Sequence, residues 1–164
     1  MLHVASRFFR TLRHINAIAF VTALVLGVTA VAVPAPQADN VSLTIETDTS
    51  AYPFTVEVMR KPEDRARGLM HRKKLAESHG MLFDFGRNVI ARMWMKNTFI
   101  PLDILFIRTD GTIANIARDT VPHSTEVLRS KGKVRYVLEI NAGLSMRFGI
   151  TAGDKVRLPA AIPE

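Results

Sequence analysis

From Val41 onward, apolar residues recur at every second position in short runs that glycine, proline and aspartate interrupt. Val41, Leu43 and Ile45 alternate with Ser42, Thr44 and Glu46. Phe54, Val56 and Val58 alternate with Thr55 and Glu57. That period of two marks a half-buried strand, because successive side chains leave a strand on opposite sides. Met81–Phe85 and Ala91–Met95 read as two further short strands, and Leu102–Ile107 as a nearly continuous apolar strand of the buried type. Asp110-Gly111 follows at once, and Asp-Gly between two apolar runs is the strongest local hairpin signal. It predicts a type I′ turn that pairs Asp103–Arg108 with Thr112–Arg118. Val134, Tyr136, Leu138 and Ile140 alternate again, and Lys155–Leu158 forms a last strand after Gly153-Asp154.

Only two segments read as helices. Pro62, Glu63 and Asp64 suit a first helical turn, where a missing N–H is harmless and acids meet the positive end of the dipole. Ala66, Leu69 and Met70 would form its apolar face. Gly68 inside it implies close packing against another backbone, or an early end to the helix. Asn141 is placed to cap a brief helix, Ala142–Phe148, which Gly149 would end in a left-handed conformation. About eight short strands with two short helices, no repeat and no βαβ alternation predict a mainly β sandwich or barrel.

The N-terminus differs in kind. Arg7, Arg10, Arg13 and His14, with no acid, precede nineteen uncharged residues from Ile15 to Val33 that end in small side chains. This is the order of a secretory signal, with Ala30 and Ala32 as a cleavage site. Residues 1–38 are therefore expected to be a signal peptide and linker. The stretch 15–33 is also long enough to act as an uncleaved membrane anchor. Either way, residues 39–164 are expected as a single β domain on the far side of the membrane, periplasmic or secreted.

Without Arg7, Arg10 and Arg13, the 22 cations fall to 19 against 15 acids, a net charge of +4 scattered along the chain. Nucleic-acid readers cluster their basic residues on one face, so no such partner is expected. There is no cysteine. Disulfides, thiol nucleophiles and thiolate metal sites are thereby excluded.

The densest unusual segment runs from Arg92 to Asp103. As a strand it would carry Arg92, Trp94 and Lys96 on one face and Met93, Met95 and Asn97 on the other. Two cations beside the only tryptophan suit an anion or a sugar, since the indole offers a stacking face and the cations offer charge-assisted donors. The plainer alternative is that Trp94 plugs one end of the core between solvated cations. Asp103 and Glu139 each lie inside an apolar strand, where a carboxylate must be paired or hydrogen-bonded. If they converge, they could form an acid and base pair for glycan hydrolysis. Two structural contacts, Asp103 with Lys96 or backbone amides and Glu139 with Arg67, would account for the same residues.

Met93 and Met95, with Met70, Met81, His71 and His79 elsewhere, raise a copper site, but no His-x-His or His-x-x-x-His spacing accompanies them. Methionine also fills irregular cores. His71, His79 and His123 read as surface, no Gly-x-Ser-x-Gly is present, and no Gly-rich loop cradles a phosphate.

Arg67-Gly68-Leu69-Met70 with Arg72 and Leu75, Gly80-Met81-Leu82-Phe83, Met93-Trp94-Met95-Lys96-Asn97-Thr98, Pro101-Leu102-Asp103-Ile104, Asp110-Gly111, Tyr136-Val137-Leu138-Glu139 and Gly153-Asp154 follow one another in order. Together they resemble the domain of unknown function 192 family over about residues 52–158. The resemblance implies a compact β domain of jelly-roll type with short helices, often behind a signal peptide, with no assigned activity. Its polar motif positions fall on Arg67, Lys96, Asn97, Asp103 and Glu139. Ala91-Arg92 departs from the family where an aromatic is often found nearby, which would alter the rim of a pocket.

The expectation is an exported, non-enzymatic domain that binds a small polar or anionic ligand, such as an envelope glycan, through Arg67, Trp94, Lys96, Asn97 and Asp103. Two alternatives stay open: an envelope hydrolase using Asp103 and Glu139, and a structural or partner-binding domain without a small ligand. No cofactor and no metal are expected, and membrane contact only through an uncleaved N-terminal segment.

Overall fold

The computed structural model describes residues 40–159. The expected signal segment and linker lie outside them, as do residues 160–164. The described chain is mainly β, with nine strands and two short helices. In order these are β1 (Asn40–Glu46), β2 (Ala51–Met59), α1 (Pro62–Arg67), β3 (His79–Val89), β4 (Arg92–Met93), β5 (Leu102–Ile107), β6 (Ile113–Ala117), β7 (Leu128–Arg129), β8 (Val134–Asn141), α2 (Leu144–Arg147) and β9 (Lys155–Arg157).

Seven strands form one sheet in the order β6-β5-β8-β3-β2-β1-β9, and β4 pairs with β7 in a separate ribbon. The strand added to the expected eight is β7. Every pairing in the large sheet is antiparallel except β2 with β3, which run parallel. Parallel neighbours require a crossover, and α1 with the segment after it supplies one. A βαβ-like unit is thus present where alternation alone pointed to none, because α1 is too short to announce itself by periodicity.

The sheet curls into a half-barrel whose two ends meet at one corner. There Thr112 bridges Lys155, and the Val156 N–H donates to the Gly111 carbonyl at 2.8 Å. Gly111 has φ +82°, and a Cβ on it would stand 2.5 Å from the Val156 carbonyl oxygen. Glycine permits both the turn and the closure. The hairpin is found as expected, with Ile104 opposite Ala117 and Phe106 opposite Asn115. Its turn differs from type I′: Gly111 has positive φ and Asp110 does not, and the register shifts after Phe106. That is a bulged turn with glycine in the left-handed position. The Asp110 carboxylate accepts the Thr112 N–H at 3.0 Å and holds it.

Curling gives the sheet two buried faces. One carries Leu43, Ile45, Phe54, Val56, Leu82, Leu105, Leu138 and Ile140. The other carries Leu69, Met81, Phe83, Met95, Leu102, Ile104, Phe106 and Val137, beneath the segment that follows α1. Strand β5 is buried at all six positions because both of its faces are covered.

Candidate functional site

Helix α1 ends earlier than its apolar spacing suggests. Gly68 terminates it with φ +48°, and a Cβ there would lie 3.1 Å from the Phe83 ring. The early end is therefore the reading that holds; what Gly68 packs against is the Phe83 side chain rather than another backbone. Leu69 turns into the second core, while Arg67 stays exposed at the helix end. A cavity of about 280 Å³ opens between this turn, β3, β4 and the loop beyond β4. Phe83, Phe85, Leu69, Met70, Met93 and Trp94 form its apolar walls, and Arg65, Arg67, Arg92, Thr98 and Glu139 its polar lining.

Glu139 is the unusual member. It stands on β8 directly between Met81 of β3 and Ile104 of β5, both fully buried. Only 4% of it is exposed, and its carboxyl has no hydrogen bond or ion pair among the described residues. Its polar atoms are nonetheless not sealed off, since no fully enclosed side-chain polar atom among the described residues lacks a partner. The carboxyl lines the cavity. Burial pushes its pKa from 4.5 to about 8, because a carboxylate in apolar surroundings loses hydration that nothing replaces. At neutral pH it is mainly a neutral acid, able to donate one hydrogen bond and accept another.

The remaining expected residues separate into two groups. Trp94 is 46% exposed at the cavity rim, with the Lys96 ammonium 5.2 Å from its ring centre. That distance is in cation–π range. Arg92 and Arg67 share the cavity lining with Trp94, and neither guanidinium has a hydrogen bond or ion pair among the described residues. The strand of this segment ends at Met93, so its faces diverge from simple alternation. Met93 lines the cavity, whereas Met95 is buried and accepts the Thr120 hydroxyl at 3.1 Å. Asn97 adopts φ +56°, a conformation asparagine tolerates better than most. Its carbonyl accepts the His71 N–H at 2.9 Å, and its amide faces the Met70 sulfur at 4.0 Å. Asn97 therefore shapes the wall behind Met70.

Asp103 lies elsewhere. It sits opposite Ile140, whereas Glu139 sits opposite Ile104, so the two acids leave neighbouring strands on opposite faces of the sheet. Asp103 is completely buried, and its two oxygens accept the Asp119 N–H at 2.8 Å and the Ser145 N–H at 2.9 Å. Backbone amides satisfy it, and Lys96 does not. It ties the chain after β6 and the start of α2 to β5, and it belongs to neither the cavity nor a carboxylate pair with Glu139. The expected Glu139–Arg67 ion pair is likewise not formed.

Asp84 is a third buried acid in an apolar run, and its network is closed. Its carboxylate accepts Arg135 Nε at 3.1 Å and the Gly86 N–H at 2.8 Å, with Arg60 at 3.9 Å. Desolvation raises its pKa, but the Arg135 bonds and the Gly86 N–H outweigh it and hold the group below 3.8. Arg65 donates to the Arg60 and Asp84 carbonyls and lies 5.1 Å from the Phe85 ring centre. Arg65, Phe83 and Phe85 carry no local sequence signal of a site, since each reads as an ordinary helix or strand residue. His71, His79 and His123 are exposed. No group of three or more His, Cys, Asp or Glu side chains converges among the described residues.

Residues 43–158 match the model of the domain of unknown function 192 family, described as an uncharacterized ACR, and the chain belongs to that family. Two solved structures share its fold. One is a candidate transcription regulator from Sinorhizobium meliloti 1021, 44% identical, covering 73% of this chain and 93% of that one with a TM-score of 0.71. Another is a protein of unknown function from Novosphingobium aromaticivorans DSM 12444, 40% identical, covering 72% and 84% with a TM-score of 0.71. No curated protein matches the chain.

Proposed function

We propose that this member of the family is a non-enzymatic binding domain that holds a small polar or anionic ligand in the cavity between α1, β3 and β4. The observation that carries the reading is Glu139, a buried carboxyl that lines that cavity and has no partner among the described residues. Buried polar groups are normally satisfied, and one left free toward a pocket is a group awaiting a partner. Arg67 and Arg92 add unpaired positive charge, and Trp94 adds a half-exposed stacking face. Asp103, turned to the other face of the sheet, has no part in it. The hydrolase reading loses its second carboxylate for the same reason.

The N-terminal pattern supports an exported location, in which an acidic fragment of the cell envelope is one source of ligand. Closed ion pairs such as Asp84–Arg135 suit a purely structural domain, but Glu139 does not fit that description.

Trp94 is the only tryptophan in the chain, so its fluorescence reports on the cavity rim directly. The test titrates the full-length protein with sugar acids, simple carboxylates, phosphate and neutral sugars. Its readouts are fluorescence and the thermal midpoint. A ligand at a hundred times its Kd should stabilise the fold by about 2.7 kcal/mol. Trp94→Ala and Arg67→Ser should lose that midpoint shift while unfolding much as wild type does without ligand. A panel that changes neither fluorescence nor midpoint would refute the reading.

A further inference from the structure

The composition of the cavity wall narrows the ligand further, on the premise that the cavity is a binding site. Its volume of about 280 Å³ is roughly twice the ~150 Å³ that encloses a benzene ring and lies near the lower end of small-molecule sites. The occupant is therefore about one substituted ring in size. A fully hydroxylated ring needs neutral donors and acceptors around its edge. Here the neutral side-chain hydroxyls are Thr98, which donates to the Lys96 carbonyl at 3.4 Å, and Glu139 in its acid form. The rest of the wall is apolar or cationic. Such a wall suits a flat apolar ring carrying one anionic group.

The position of the charges decides where that group goes. Arg65 is already engaged by two backbone carbonyls and the Phe85 ring, which leaves Arg67 and Arg92 as the lining cations whose side chains have no partner among the described residues. Arginine is suited to a carboxylate because its planar fork matches the two oxygens. The titratable side chains lining the cavity are Glu139 from β8, Arg65 and Arg67 from α1, and Arg92 from β4; β3 contributes only Phe83 and Phe85. An ionised Glu139 would repel a second carboxylate in this cavity, whereas a protonated one donates a hydrogen bond to it.

We infer that the cavity binds a single-ring carboxylate, held between the guanidinium groups of Arg67 and Arg92 and the protonated carboxyl of Glu139, so that ligand binding requires a proton on Glu139. The raised proton affinity of this residue, with a pKa of about 8, supplies that proton at neutral pH. The ligand adds a second reason to keep it.

The experiment is calorimetric titration of the full-length protein with benzoate, which stays ionised at every pH used. Benzamide serves as a neutral analogue, and glucuronate as a hydroxylated ring acid. Benzoate should bind at pH 6 and weaken by roughly tenfold at pH 9, as the free carboxyl ionises above about 8. Glu139→Gln should bind benzoate with an affinity independent of pH, because the amide donates without titrating. Arg67→Ser should weaken binding at both pH values and keep the pH dependence. Equal benzoate affinity at pH 6 and pH 9, or benzamide binding as tightly as benzoate, overturns the inference and leaves the binding site standing. Tighter binding of glucuronate than benzoate overturns the choice of ring. If none of the three probes binds at either pH and Trp94 fluorescence is unmoved by them, the proposed site falls together with the inference.

Discussion

Replacing Glu139 with glutamine should remove a large part of the pH dependence of folding stability between pH 5 and 8. The carboxyl ionises at an ordinary 4.5 when the chain is unfolded and at about 8 in the fold. The folded state therefore binds its proton more tightly, and stability falls as pH rises between those two values. Below pH 4.5 both states are protonated and the residue contributes no pH dependence. Above about 8 both are ionised and the loss is complete. At 1.36 kcal/mol for each pH unit, the span corresponds to about 5 kcal/mol. Water entering through the cavity relaxes some of that penalty, so about 3 kcal/mol is the working expectation. Against a typical total of 5–15 kcal/mol, this is a substantial fraction of what holds a domain folded. Urea unfolding of wild type and Glu139→Gln at pH 5, 6, 7, 8 and 9 measures it. The two should agree within about 1 kcal/mol at pH 5, where both side chains are neutral in the fold, and separate progressively in favour of the variant above it. Parallel pH curves for the two proteins would refute the argument, because they would mean that Glu139 titrates alike in both states.

Asp103→Ala should destabilise by about 3 kcal/mol in the same unfolding assay, because it orphans the Asp119 and Ser145 N–H groups, each worth roughly 1–3 kcal/mol when buried unpaired. Cavity binding should survive it, as Asp103 faces the other side of the sheet. Gly111→Ala should lower stability by at least about 2 kcal/mol, since it combines a φ of +82° with a Cβ 2.5 Å from the Val156 oxygen. Differential scanning calorimetry is the measurement, and a neutral substitution would show that the sheet does not need that closure. For Asp84 the sign is opposite to that of Glu139. Its folded pKa lies below 3.8, so its contribution is present above pH 4 and lost as pH falls through the folded value. Asp84→Asn should cost about 2 kcal/mol at pH 7 and flatten the acid limb of an unfolding curve.

Several features of this protein were legible in the residues themselves. Alternation within each strand is a local property, so Val41–Ile45, Phe54–Val58 and Val134–Ile140 declare themselves, as does the hairpin around Asp110-Gly111. The burial of Asp103 and Glu139 was equally plain, because an acid inside an apolar run goes wherever its neighbours go. What each acid meets was not. Strands β5 and β8 are covered on both faces, and without a polar-out pattern nothing local indicates which face a given residue takes. The register between them, Asp103 opposite Ile140 and Ile104 opposite Glu139, settles that parity. It gives Asp103 two backbone amides and leaves Glu139 facing a cavity. The cavity itself gathers Arg67 from the end of α1, Phe83 from β3, Arg92 from β4 and Glu139 from β8. Those positions are far apart along the chain and carry no common periodicity. Only the parallel β2–β3 crossover and the curl of the sheet bring them to one place, because both are consequences of how whole strands pack rather than of any short stretch of sequence.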